Sequence, residues 1–147
     1  MALKGYRFPI AHAEAFPQGL VLVGQIEPLI KYNPDRNAVP EQQIDYNPKT
    51  GAGSRLPMWK ATVTDPSETN AKRASFQLIF LSEVEPVPST PEVLPGMRQI
   101  ELEGLLAEPK VMGTGEFKYQ GFVFYAGGIK GDNSGARGKS AAESRAA

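Results

Sequence analysis

The chain of 147 residues is long enough for one domain with a real hydrophobic core and short for two. Its 15 glycines and 13 prolines, about a fifth of the residues, require many turns and exclude a helical bundle. With no cysteine there is no disulfide framework, thiolate nucleophile or cysteine-based zinc site, and with a formal net charge of zero no global basic field points to nucleic acid.

The charge is unevenly laid out. Residues 31–73 carry seven Lys/Arg against five Asp/Glu, and residues 83–108 carry six Glu against Arg98 alone. A local basic face opposite an acidic one is one reading, and charges scattered over solvated loops the other.

Residues 1–18 read as an irregular N-terminal arm with Tyr6, Phe8, Ile10 and Phe16 as apolar anchors, and with room for one helical turn at 11–15 between Pro9 and Pro17. The arm contains no continuous apolar leader, and no run approaches the roughly 18 apolar residues of a membrane span, so a cytoplasmic protein is expected. The first strand spans Leu20 to about Tyr32. Its start is apolar on both parities, Gly24 marks a bulge or tight bend, and Pro28 denies a ladder donor and sets an edge or bent half. The polar connection 33–56 exceeds the length of an ordinary loop and is read as a projecting β-ribbon, with Gln42–Tyr46 as a short strand and a turn at 47–51. The second strand, 58–65, alternates Trp59, Ala61 and Val63 with Lys60, Thr62 and Thr64. The third, 74–82, alternates Phe76, Leu78 and Phe80 with Gln77, Ile79 and Leu81. A proline-rich bridge follows at 85–91. The fourth strand, 98–107, has Gln99, Glu101 and Glu103 on a wet face and ends at Glu108-Pro109. The fifth runs from Phe117 to Ala126. From Gly127 the chain has almost nothing to bury, so 127–147 is read as a disordered tail and 19–126 as the domain. The fold class is all-β: a small five-stranded OB-fold-like barrel with a long β-ribbon or loop, with a β-sandwich as the alternative.

Chemistry-bearing motifs are scarce. His12, flanked by alanines, has no nucleophile, carboxylate or metal partner in sequence; Gly113-Thr114-Gly115 lacks the continuation of a dinucleotide fingerprint; Glu101 and Glu103 form a solvated strand pair rather than a pocketed acid and base. No enzyme, cofactor or metal site is expected. Aromatic residues beside cations are more telling, because single strands bind to stacking platforms lined with Lys and Arg. Lys31-Tyr32, Trp59-Lys60, Lys118-Tyr119 and Arg73 lie at strand ends or edges, and Arg36, Tyr46, Lys49 and Arg55 lie in the long loop. These eleven residues are the candidate nucleic-acid-binding set. Phe76, Phe80, Phe122 and Phe124 are expected in the core.

The segments Val23-Gly24-Gln25-Ile26-Glu27-Pro28, Pro57 to Asp65, Val93-Leu94-Pro95-Gly96 and Ile100 to Leu105, with Thr50-Gly51 in a Gln- and Asp-rich loop, carry a resemblance. Over residues 19–126 the chain resembles small OB-like proteins, of the single-stranded-DNA-binding type, encoded on actinobacterial conjugative plasmids, integrative elements and phages. The resemblance implies a non-catalytic single-stranded DNA-binding protein serving DNA replication or conjugation. The chain departs from the usual pattern in lacking an acidic, hydrophobic-tipped tail. Single-stranded DNA is the expected partner, homo-oligomers are open, and no membrane partner is expected. The alternative is a protein-interaction or structural module that assembles through its exposed loop and strand edges.

Overall fold

A computed structural model of the protein describes residues 6–132. Along the chain come β1 (Phe8–Pro9), α1 (His12–Ala15), β2 (Leu20–Pro28), β3 (Met58–Thr64), α2 (Ala71–Ala74) and β4 (Ser75–Leu81). Then follow β5 (Glu92–Leu94), β6 (Met97–Ile100), β7 (Leu102–Glu103), β8 (Leu106–Met112), β9 (Tyr119–Ala126) and β10 (Gly128–Ile129). The fold is therefore all-β, with two helices of one turn each among the described residues. No helix among the described residues is long and apolar enough to cross a membrane.

Eight strands form one sheet in the order β1-β8-β9-β4-β3-β2-β6-β5, and β7 pairs with β10 in a separate two-stranded ladder. Neighbours are antiparallel except β4 and β9, which run parallel and pair only at Ile79↔Tyr125 and Phe80↔Ala126. Among the described residues the eight-stranded sheet ends at β1 and β5 and does not itself close. The described pairings thus give an open eight-stranded sheet plus a short ladder. The fourth wall is divided, because the chain breaks at Glu101 and again around Gly104 and so supplies β6, β7 and β8 instead of one strand.

Strand alternation sorts the core onto two faces. Leu20, Leu22 and Ile26 of β2, Ala61 and Val63 of β3 and Leu78 and Phe80 of β4 join Ile100, Leu102, Ala126 and Ile129 in the main cluster. The opposite parity gives a smaller cluster of Met58, Leu81 and Tyr125, packed by Leu29 and Leu56 from the ends of the long loop. Between Val23 and Glu27, β2 holds two more residues than β3 does opposite them, between Thr62 and Lys60. The bulge contains Gly24 at φ 76°, where a side chain would be strained, and its N–H donates to the Gly96 carbonyl at 2.8 Å. Pro28 ends β2, beyond the stretch that pairs with β6, so its missing donor leaves the β6 ladder intact.

Four expectations shift. The fourth strand does not stop at Glu108-Pro109: β8 continues to Met112, with Pro109 opposite Phe122. Beyond Ala107 the other edge of β8 has no partner strand among the described residues, and a residue without an N–H is tolerated there. The 33–56 connection is not a β-ribbon. It makes isolated bridges only, and residues 42–45 thread between 29–31 and 55–58, with Gln43 N donating to the Leu29 carbonyl and Met58 N to the Gln43 carbonyl. Packing also continues past residue 126. Gly128–Ile129 pairs with β7 and Ile129 is buried, so the chain from Gly127 does have an apolar anchor. Similarly the N-terminal arm is built in, through β1 on the edge of β8 and a buried Phe16. The remainder of the expected disordered tail, 133–147, and residues 1–5 lie outside the described residues.

Truncating Ile129 tests the extended boundary. Ile129→Ala is expected to cost about 2–5 kcal/mol in urea unfolding. A change within about 0.5 kcal/mol, the size of an ordinary surface substitution, would show that the domain ends at Ala126.

Candidate nucleic-acid interface

Because β4 and β9 pair over two residues only, their N-terminal halves have no mutual ladder, and a cleft of about 390 Å³ lies between them. Its walls are the 65–75 turn with α2 and the start of β4 on one side, and the β8–β9 hairpin on the other. The turn is locally determined. Asp65 accepts from Ser67 N at 2.9 Å, Glu68 from Asn70 N at 3.0 Å, and the Asn70 side chain caps α2 by accepting from Lys72 N at 3.1 Å. This brings Lys72 and Arg73 to the cleft. Three rings form its floor: Phe16 lies 6.0 Å from Phe76 and 5.1 Å from Phe124, and Phe76 lies 5.6 Å from Phe124. Phe122 continues the row at 6.1 Å from Phe124 and is 46% exposed. Tyr119 stands opposite Arg73, whose guanidinium carbon lies 3.7 Å above the ring centroid. Exposed Lys118 precedes Tyr119, and Phe117, 84% exposed, precedes Lys118. In the lining Lys72 and Arg73 balance Asp65 and Glu68, whose carboxylates already accept local hydrogen bonds, and Lys118 lies outside it, next to Tyr119 in the chain.

A second surface is organised by Asp45, which is buried in the threaded loop. Arg7 holds it in a two-pronged ion pair, with Nη1 and Nη2 donating to the two carboxylate oxygens at 2.8 and 2.9 Å, and Ser54 donates from N at 3.0 Å and Oγ at 2.9 Å. Arg7 also lies 3.8 Å above the Tyr125 ring and 3.9 Å from Glu108, itself paired with Lys110 at 3.2 Å. Burial alone would raise the Asp45 carboxyl, but the Arg7 and Ser54 hydrogen bonds outweigh it and hold the group below the ordinary carboxylate value. Burial likewise opposes the Arg7 charge, and the bond to Asp45 more than restores it. Burial raises the Tyr125 hydroxyl. Gly53 has to be glycine: a Cβ there would sit 2.2 Å from the Asp45 carbonyl oxygen. Arg55, at φ 65°, donates its N–H to the same carbonyl and places its guanidinium 4.7 Å over Tyr46.

The eleven candidate residues therefore fall into separate groups. Arg73 and Tyr119 meet across the cleft, with Lys118 beside them. Tyr46 and Arg55 stack on the loop surface, and Lys49 lies exposed in the turn between them. Lys31, Tyr32 and Arg36 line a recess of about 360 Å³ that shares no residue with the cleft; Tyr32 is 90% exposed and Lys31 lies 3.6 Å from Glu41. Lys60 sits half-buried on β3 opposite Glu27. Trp59 is a wall of the fold rather than a platform, since its ring packs on the main core and its indole N–H donates to the Ser82 carbonyl at 2.9 Å. Phe122, by contrast, is not in the core as expected, because the β8–β9 hairpin runs beyond the strands that would cover it. Arg7 and Asp45 carried no local signal, since the partners are 38 residues apart. The Asn70 cap ahead of Ala-Lys-Arg-Ala was a readable sign of α2.

The other large groove, about 460 Å³, lies between α1 and β6. There His12 Nδ1 accepts from Leu102 N at 3.2 Å; burial lowers its pKa, against the pull of Glu101, and so favours the neutral acceptor form. Glu101 pairs with Lys130 at 3.5 Å. Among the described residues no group of three or more His, Asp or Glu could hold a metal ion.

The Arg7–Asp45 pair predicts a pH dependence. Asp45 has a folded pKa below its unfolded value of about 3.8, so its contribution is complete above that value and is lost as pH falls through the lower folded value. Asp45→Asn is expected to cost about 2 kcal/mol at pH 7, less than a fully buried pair because Arg7 retains some exposure, and to flatten the loss of stability on acidification. Urea unfolding of both proteins at pH 7 and below pH 4 checks this; parallel losses on acidification would contradict it. Comparison with family models, with curated proteins and with solved structures returns no match for the chain.

Proposed function

We propose that this protein binds single-stranded DNA non-catalytically, with bases stacked against aromatic side chains in the β4–β9 cleft and phosphates held by Lys72, Arg73 and Lys118. The observation that carries the reading is the row of rings leading out of the cleft, from Phe76 and Phe124 at the floor to exposed Phe122, with Lys72 and Arg73 in the same lining. The loop group at Tyr46, Lys49 and Arg55 and the recess group at Lys31, Tyr32 and Arg36 are secondary contacts in this reading. Trp59 and Lys60 belong to the wall that supports them.

The proposal includes an OB-like barrel. Pairings from β9 through β4, β3 and β2 reach β6; one residue later the same chain segment, as β7, pairs with β10, which follows β9 after Gly127. These links support five walls arranged in a ring, with the breaks at Glu101 and Gly127 as local interruptions. On the resemblance stated above, the biological setting is plasmid or phage DNA replication or transfer in the cytoplasm. Assembly through sheet edges is the weaker reading. The free edge strand β5 does expose Val93 and Leu94, but Pro91 and Pro95 flank it and blunt it as a template.

Anisotropy of a labelled oligo-dT tests the proposal. Binding is expected at low salt, weakening as salt rises. Phe122→Ala, which removes an exposed ring, is expected to weaken binding about tenfold, in the lower part of the roughly 1–3 kcal/mol per stacked base, with an unchanged melting temperature. No binding by the wild type at low salt would overturn the reading.

A further inference from the structure

The Arg73–Tyr119 stack has a consequence for how the cleft is filled. In the unbound protein the guanidinium lies 3.7 Å above the Tyr119 ring centroid and so covers the ring face that a base would use. Arg73 is exposed, at the end of a one-turn helix, so its side chain can move without disturbing buried packing. Tyr119 is held more firmly: it is half-buried and lies opposite Met112, whose side chain lies over Gly121.

We infer that Arg73 is a gating residue, which rests on Tyr119 when the cleft is empty and yields the ring to an incoming base by swinging onto a phosphate of the same strand. The inference rests on the single-stranded DNA reading and adds an exchange to it. An exposed guanidinium–aromatic contact is weaker than a base–aromatic stack, so the exchange runs toward the bound state. The displaced guanidinium keeps its charge and its planar fork and gains a phosphate partner. Duplex DNA keeps its bases stacked within the helix and offers none to Tyr119, so the gate favours single strands.

The experiment compares wild type, Arg73→Gln, Arg73→Lys and Tyr119→Leu against oligo-dT and an abasic phosphodiester strand of equal length, between about 50 and 200 mM salt. Arg73→Gln is expected to reduce the slope of log affinity against log salt by about 0.7, the value for one phosphate contact on a single strand, with both ligands. Arg73→Lys is expected to restore the slope. Tyr119→Leu is expected to weaken oligo-dT about tenfold and to leave the abasic strand unaffected, because only the bases use the ring. If the wild type binds oligo-dT but Arg73→Gln leaves the slope unchanged, the gate is overturned and the binding reading stands. If Tyr119→Leu weakens both ligands equally, Tyr119 supports the fold rather than a base, and the gate is again overturned. Absence of any wild-type binding would remove the binding reading itself.

Discussion

Parallel pairing between β4 and β9 lasts for two residue pairs, and much of the molecule's surface follows from that brevity. At the pairs and just beyond them, Ile79, Tyr125 and Leu81 contribute to the smaller apolar cluster. Below them the strands have no shared ladder, and Phe16, Phe76 and Phe124 occupy the floor of the space left between them. A longer ladder would have closed the cleft and left no route for the row of rings to reach solvent at Phe122. The same geometry lets the β8–β9 hairpin run past its neighbours, so that Phe117, Phe122 and Val111 remain exposed. Apolar groups left in water at one place, beside cations, are the kind of exception to burial that needs an explanation.

The other face of the sheet depends on a different constraint. The long loop is polar and would gain little by packing, yet it lies over Met58, Leu81 and Tyr125 through Leu29 and Leu56. What pins it is a buried carboxylate. Asp45 would be unfavourable there without Arg7 and Ser54, and with them it ties the N-terminal arm, the loop and, through Arg7 and Tyr125, the last long strand into one unit. The tight turn at Gly53 and the left-handed backbone of Arg55 follow from bringing 53–55 back against Asp45. The Tyr46–Arg55 stack is thereby displayed on a braced segment rather than on a free loop.

Strand positions were largely legible, because period-two alternation is a local property: 58–64 and 75–81 emerged within a residue or two of their expected ends, and Gly24 announced its bulge. The fate of the fourth wall was not. Whether Pro109 ends a strand depends on whether its missing donor faces a neighbour, and the neighbour is set by distant pairing. Ile129 was misread for a similar reason, since one isoleucine among glycines and charges shows its burial only when β7 is beside it. At the candidate interface, Arg73 and Tyr119 were visible as a cation and an aromatic near strand ends, but their contact needed the 65–75 turn to face the hairpin. Trp59 and Phe122 exchanged roles. Each stands on an alternating strand, and alternation gives the face of a ring but not how far the covering strands extend. The Arg7–Asp45 pair joins two segments that no periodicity links.

Mapping backbone amide shifts in isotope-labelled protein during an oligo-dT titration is the most direct test of the proposal that a single strand lies in the β4–β9 cleft. The largest changes are expected at residues 72–76 and 117–124, with smaller ones around Tyr46 to Arg55. Changes concentrated instead around α1 and β6, near His12 and Gln99, or no changes at saturating oligonucleotide, would contradict it.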